Sequence, residues 1–360
     1  PALLLAATLT PHPITLTDGR HFSLNLPPTT TLTIAAEKLR RVRFMAKSPD
    51  GRLFVTDMYN RTDNNRGRVY VLDGFEHGQF TKVSVYLDHL RNPNSVAFYG
   101  GWIYVALTDK LVRYRYTNGS MHPDGEPQVL ATFPDYGLDY KYGGWHLTRT
   151  IAVGPNDKIY VSAGSSCNAC IEKEDVRASV IEMDPDGSHR RYFATGLRNA
   201  VGLRFSGPQL FATNMGADHL GDEAPRDTFY ALQSGASYGW PHCYVDAKGK
   251  YANDPKFPSD RCASIPNPFA TFPAHASPLG FTELADQTFL VALHGSSKRR
   301  LNHGYRVSRV TKGKVDDYMT GFLVGTKVIG RPADVFRWDE QTILVSDDYA
   351  GVIYAVRDSR

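Results

Sequence analysis

GPNDKIYVSAG, residues 154–164, decides the fold: a Pro-Asn-Asp turn delivers the chain into an apolar strand whose β-branched and aromatic side chains suit a pleated, half-buried surface. The same unit recurs upstream as SPDGRLFVTD (48–57) and FYGGWIYVAL (98–107). Downstream it returns as FSGPQLFATN (205–214), ADQTFLVALHG (285–295) and WDEQTILVSDD (338–348). The starts at 48, 98, 154, 205, 285 and 338 are spaced by 50, 56, 51, 80 and 53 residues. Most units lead to a second strand, as in GRVYVLDG, LVRYRYT, ASVIEMDPDG, GYRVSRVT and GVIYAVRD. Such a period predicts an all-β, six-bladed β-propeller, in which radial repetition protects the sheet edges. A large β-sandwich, or two all-β domains, does not predict self-similarity at a fixed period.

Composition agrees. Gly 31, Pro 22 and Tyr 20 in 360 residues point to many tight turns between aromatic-rich strands, and sustained helical periodicity is confined to a weak stretch near 171–178. With no internal linker, residues 1–360 read as one domain. Residues 1–40 are then available to close the ring, and 242–265 form an insertion bracketed by Cys243 and Cys262. The net charge of +4 is scattered, which argues against a nucleic-acid partner. The apolar run Ala2–Ala7 is too short to span a bilayer.

The four cysteines fall into two local pairs, Cys167 with Cys170 and Cys243 with Cys262. Two disulfides in a secreted or periplasmic protein are the favoured reading; a zinc site that enlists His242 stays open beside it.

Chemistry concentrates between residues 143 and 241. His146, in GGWHLTRT, sits at the mouth of a strand, where an imidazole that titrates near neutrality can act as a general base. It reads equally as a satisfied turn histidine. Arg198 and Asn199, in GLRNAVG, can bind a carboxylate through charged and neutral donors, or can be a plain surface turn. NMGADHLGDE (214–223) offers carbonyls and carboxylates to a hard cation such as Ca²⁺, though without EF-hand spacing, and solvated acidic loops look alike.

Taken in order, HLTRT, GPNDKIYVSAGS, DPDGS, GLRNAVGLRF, NMGADHLGDE, SGASYGWP, HASPLGF and GRPADV resemble the soluble quinoprotein glucose/sorbosone dehydrogenase family over roughly residues 41–358. The resemblance implies a six-bladed propeller that uses pyrroloquinoline quinone (PQQ) and Ca²⁺. It implies His146 as the base that takes the substrate hydroxyl proton while hydride passes to the quinone C5. Arg198 and Asn199 would contact the cofactor, with Arg198 near its reacting carbonyls. Gly216 and Ala217 would hold calcium through their backbone carbonyls, and Arg331 would bind a cofactor carboxylate.

The chain also departs from its relatives. Ala333 stands where many carry a second arginine, and His294 stands at the position of a cofactor lysine, with Lys298 or Arg299 available to replace that charge. Thr228 replaces an acidic residue, which weakens any second calcium site. Ser165 and Ser166 replace the Asp-Gln of glucose oxidisers, so the sugar pocket differs. The expectation is a PQQ-dependent sugar or aldose dehydrogenase of the sorbosone-like branch, monomeric or homodimeric, that passes electrons from a small sugar to an acceptor. A calcium-dependent lactonase, using residues such as Asn94, Asp218 and Asp347, is the alternative enzyme. A non-catalytic ligand-binding propeller is the alternative without chemistry.

Overall fold

The computed structural model describes residues 8–134 and 146–358. Gly143–Trp145 of the histidine loop and the run Ala2–Ala7 lie outside the described residues. Six sheets of four or five strands, antiparallel except for one outer parallel pairing in the five-stranded sheet, surround one axis. Their first strands are Val42–Lys47, Ser95–Tyr99, Arg149–Val153, Leu203–Ser206, Pro278–Ala285 and Pro332–Arg337. Each touches the next around the ring, and the last touches the first. The sixth sheet takes its outer strand from the other end of the chain: Thr30–Ala36 pairs antiparallel with Val352–Asp358. There is no α-helix among the described residues, and the stretch 171–178 forms turns.

The turns obey local sterics. Gly51 in SPDG and Gly101 in YGG adopt φ of 85° and 77°, a region that costs glycine nothing and hinders side chains with a Cβ. The strands that follow alternate between two apolar layers, since every blade has a neighbour on each face. Six clusters of buried side chains result, one between each pair of adjacent blades. Between the fourth and fifth blades Phe211, Phe229, Phe281 and Phe289 pack at centroid distances of 4.8–5.9 Å. A smaller cluster of Phe44, Val201, Leu279 and Ala333 plugs the axis.

One polar device repeats with the blades. The second strands end VTD, ATN and VSD, and the hydroxyl of each crosses to a main-chain carbonyl of the next blade. Thr56 donates to Asn94 O at 2.7 Å, Thr213 to Leu279 O at 2.9 Å and Ser346 to Arg43 O at 2.7 Å. The residue after the hydroxyl then caps its own blade's entry loop. Asp57 accepts from Arg41 N, Asn214 from Asn199 N and Asp347 from Arg331 N, at 2.9–3.0 Å. Buried main-chain donors must find acceptors, so this cap fixes where the loops at one end of the ring point. The residues it fixes, Arg41, Asn199 and Arg331, are those that face the axis at that end.

Both cysteine pairs are disulfides, Cys167–Cys170 and Cys243–Cys262, so the cysteines are not zinc ligands. The ring of His242 instead meets the Phe257 carbonyl through Nδ1 at 2.9 Å.

Candidate active site

The entry loops enclose a cavity of about 990 Å³ at one end of the axis, at the upper limit of ordinary ligand pockets, about 300–1,000 Å³. Five arginines and three aspartates line it, with His146, His275 and His294. The structure thus gathers His146, Arg198, Asn199, Gly216, His294 and Arg331 around one space. Ala217 is buried but does not line the cavity. Lys298 does not reach it either: its ammonium pairs with Asp222 at 2.9 Å.

One wall comes from the third and fourth blades. His146 holds φ of 50°, a costly conformation for a residue with a Cβ, and packs against Gly164. A Cβ at Gly164 would lie 2.6 Å from the His146 Cβ and 2.5 Å from Asn199 Oδ1, so the glycine is what lets these two residues approach. The imidazole Nδ1 lies 2.9 Å from the Ser165 carbonyl and 3.0 Å from Ser165 Oγ, whose own proton goes to the Cys167 carbonyl at 2.7 Å. A carbonyl can only accept, so these partners assign the proton to Nδ1 and the lone pair to Nε2. Burial, then the Arg198 charge, holds the imidazole well below its ordinary pKa.

Arg198 is buried and fully engaged. Nε donates to Asn168 O at 2.9 Å, Nη1 to Gly216 O at 2.7 Å and Nη2 to Asn168 Oδ1 at 2.8 Å. The Gly216 N–H and Ser277 N–H both donate to Asp227, each at 2.8 Å. Even so, burial pushes the Asp227 carboxyl up to about 7. Beside it, His275 Nδ1 meets Asp218 at 3.1 Å. That bond raises the imidazole pKa; at Asp218 burial pulls upward, but His275 and Arg198 outweigh it and lower the carboxyl.

The opposite wall comes from the fifth, sixth and first blades and is organised by Asp348. Its carboxylate accepts from Arg43 at 2.9 Å and from His294 Nε2 at 2.8 Å, and Arg41 lies at 3.2 Å. Burial opposes ionisation, yet His294, Arg43 and Arg41 together hold the carboxyl well below the usual range. His294 needs no charge for this bond, and burial pushes its pKa down to about 4. Arg331 donates to Gly295 O and to Tyr305 Oη, both at 2.8 Å, and its guanidinium sits 4.7 Å from the Tyr305 ring centroid.

Sequence reasoning missed Arg41, Arg43, Asp348, Asp227 and His275. A signal for two of them existed. Val42–Lys47 and Pro332–Arg337 are corresponding first strands, so Arg41 and Arg43 match Arg331 and Ala333 between the repeats. Ala333 is packed in the axial plug, while Arg43 lines the cavity.

This architecture is shared with solved structures. The holo PQQ domain of pyranose dehydrogenase from Coprinopsis cinerea superposes with a TM-score of 0.77 at 18% identity, over 93% of this chain and 97% of that one. A calcium structure of the carbohydrate-active enzyme family AA12 protein from Trichoderma reesei gives 0.78 at 16% identity, over 99% of both chains. The PQQ-bound aldose sugar dehydrogenase from Streptomyces coelicolor gives 0.64 at 18% identity, over 92% of this chain and 99% of that one. At these identities the likeness is one of fold. The family model for TrAA12-like proteins matches residues 25–321. The chain therefore belongs to the TrAA12-like family of PQQ-dependent oxidoreductases.

Proposed function

We propose that this protein oxidises a hydroxyl of a small sugar, an aldose or a sorbosone-like compound, with His146 as the base and with PQQ and Ca²⁺ in the axial cavity. The observation that carries this reading is the His146–Ser165 contact of 2.9 Å, which directs the imidazole proton away from Nε2 and leaves that nitrogen as the acceptor.

The cavity fits a tricarboxylate quinone. Arg41 and Arg43, which share Asp348, and Arg331 beside them offer guanidinium groups to carboxylates. Arg43 supplies in the first blade the charge that Ala333 lacks in the sixth. His294 lies at the lysine position of relatives and contributes a neutral ring rather than a cation. The Asn199 amide supplies a neutral donor, and the Gly216 carbonyl, which already accepts from Arg198 and keeps a second lone pair, is a hard oxygen ligand suited to calcium; Ala217, the other expected ligand, does not line the cavity. When bound, PQQ supplies the two-electron acceptor that side chains lack, with calcium as a Lewis acid.

The protein's own part is positioning and proton transfer. His146 Nε2 takes the hydroxyl proton as the carbon–hydrogen bond breaks, and Ser165 keeps the ring aimed. Burial, and after it the charge of Arg198, keeps the imidazole neutral before transfer, and that charge favours negative charge as it develops nearby. Ser165 has its main chain and hydroxyl turned to His146, so it shapes the base more than the sugar pocket.

The lactonase alternative gains no support. Two of its candidates serve elsewhere, Asn94 donating to Thr150 at 2.9 Å and Asp347 capping Arg331, while Asp218 lines the cavity but is paired with His275. Two disulfides support an exported protein. No helix among the described residues is long and apolar enough to cross a membrane.

Reconstitution with PQQ and Ca²⁺, followed by dye reduction over a panel of aldoses and sorbosone, tests the proposal. The expected result is cofactor absorbance with turnover on at least one sugar. Absence of both, or lactone hydrolysis without quinone, overturns it.

A further inference from the structure

The Cys167–Cys170 disulfide closes a ring of four residues. A loop this short constrains the unfolded chain less than any longer one, so global stability is a weak reason for it. Its position gives a better one, because Asn168 lies inside the ring and touches three parts of the site. The Asn168 carbonyl accepts from Arg198 Nε at 2.9 Å and from Trp240 Nε1 at 3.4 Å. Its Oδ1 accepts from Arg198 Nη2 and from the Asp218 N–H, each at 2.8 Å. One residue earlier, the Cys167 carbonyl accepts the Ser165 hydroxyl proton at 2.7 Å, and that hydroxyl in turn faces His146 Nδ1 at 3.0 Å. Outside the ring, Glu172 pins the same loop by accepting from Ser166 N at 2.7 Å and Ser166 Oγ at 2.6 Å.

We propose that Asn168, fixed in the ring closed by Cys167 and Cys170, is the positioning residue of this site. It sets Arg198 directly, and through the Cys167 carbonyl and Ser165 the ring sets the proton position on His146. This rests on the reading of His146 as the base. Main-chain carbonyls are good orienters only while their peptide planes are fixed, and the disulfide limits the torsions that would turn them. The cysteines are partly exposed, so a dithiol reductant reaches them. It opens the ring by delivering two electrons and two protons to the sulfurs while itself closing to a disulfide. The oxidised chain is then the aligned one, and the reduced chain is misaligned while still folded.

The test compares wild type with Cys167→Ser/Cys170→Ser, Asn168→Ala and Asn168→Asp, with Cys243→Ser/Cys262→Ser, a pair that does not line the cavity, as a control. In cofactor-free protein, ¹⁵N imidazole NMR reads the His146 tautomer. In protein loaded with PQQ and Ca²⁺, dye reduction gives kcat and KM. The ring-opened variant should lose its pure Nδ1–H signature and about 10- to 100-fold in kcat, with KM nearly unchanged. Asn168→Ala should lose kcat to a similar extent, and Asn168→Asp, which keeps the acceptor oxygens, should recover most of it. The control should keep both properties. Should the serine pair fail to fold, wild type reduced by a dithiol should show the same losses, reversed on reoxidation. An unchanged tautomer and kcat in the opened ring overturn the inference. His146→Ala separates the two claims: if it turns over normally the base reading fails, and if it is inactive while the opened ring is normal, only the positioning role fails.

Discussion

The two walls of the cavity each hold a buried or half-buried histidine, and they hold it in opposite ways. His146 gives its Nδ1 proton to a main-chain carbonyl, so its lone pair is on Nε2. His294 gives its Nε2 proton to Asp348, so its lone pair is on Nδ1, 3.4 Å from Arg331. Burial lowers both pKa values. The partner therefore decides the role. A carbonyl orients a base without adding charge, whereas an ionised carboxylate shared with two arginines locks its histidine into an ion network. In the proposed function the first wall serves proton transfer and the second anion binding.

The largest way to break this contrast is His146→Ala. General-base catalysis is worth about 10²–10⁴ in rate, so kcat should fall by that range while PQQ titration in Ca²⁺ stays nearly unchanged. Next comes Asp348→Asn, which leaves Arg41 and Arg43 facing each other without their counter-charge. Breaking a buried pair costs roughly 3–5 kcal/mol, to be read as a lowered denaturation midpoint. Arg43→Met should weaken PQQ binding by about tenfold or more, since a charged hydrogen bond is worth roughly 1.5–3 kcal/mol; calorimetry reads this. Gly164→Ala should cost about 1–3 kcal/mol through overpacking and should lower kcat more than PQQ affinity, because the added methyl meets both His146 and Asn199.

The smallest expected effect is in pH. In the proposed reaction the neutral imidazole is the active form of His146, and its pKa is lowered. Activity should therefore persist as pH falls through about 6.5, the value of free imidazole, and should be lost only at lower pH. For stability the sign is set by the unfolded chain, which takes up protons at His294 below about 6.5. The native state declines them until about 4. In that window His294 makes the protein less stable as pH falls, which urea titrations of wild type against His294→Gln would resolve.

Much of this was legible in the sequence for identifiable reasons. The turn–strand units from residue 48 to 348 are local signals, so the propeller followed from their period. His146, Arg198, Asn199 and Gly216 sit in glycine-bearing loops within one stretch, and the structure brings them to one wall. The far wall was harder because its bonds join the chain's two ends: Arg43 and Asp348 are 305 residues apart. The charge of Lys298 alone suggests a replacement cation, but Asp222 captures it. Aligning the repeats on their VTD, ATN and VSD ends would have placed Arg41 opposite Arg331 and revealed Arg43 beside Ala333.

The division of labour between the walls is tested most directly by titrating wild type and His146→Ala with PQQ in the presence of Ca²⁺, following cofactor absorbance, and then adding sugar and dye to both. Equal saturation with turnover only in wild type is the predicted result. Loss of PQQ binding in His146→Ala, or retained turnover in it, would contradict the account.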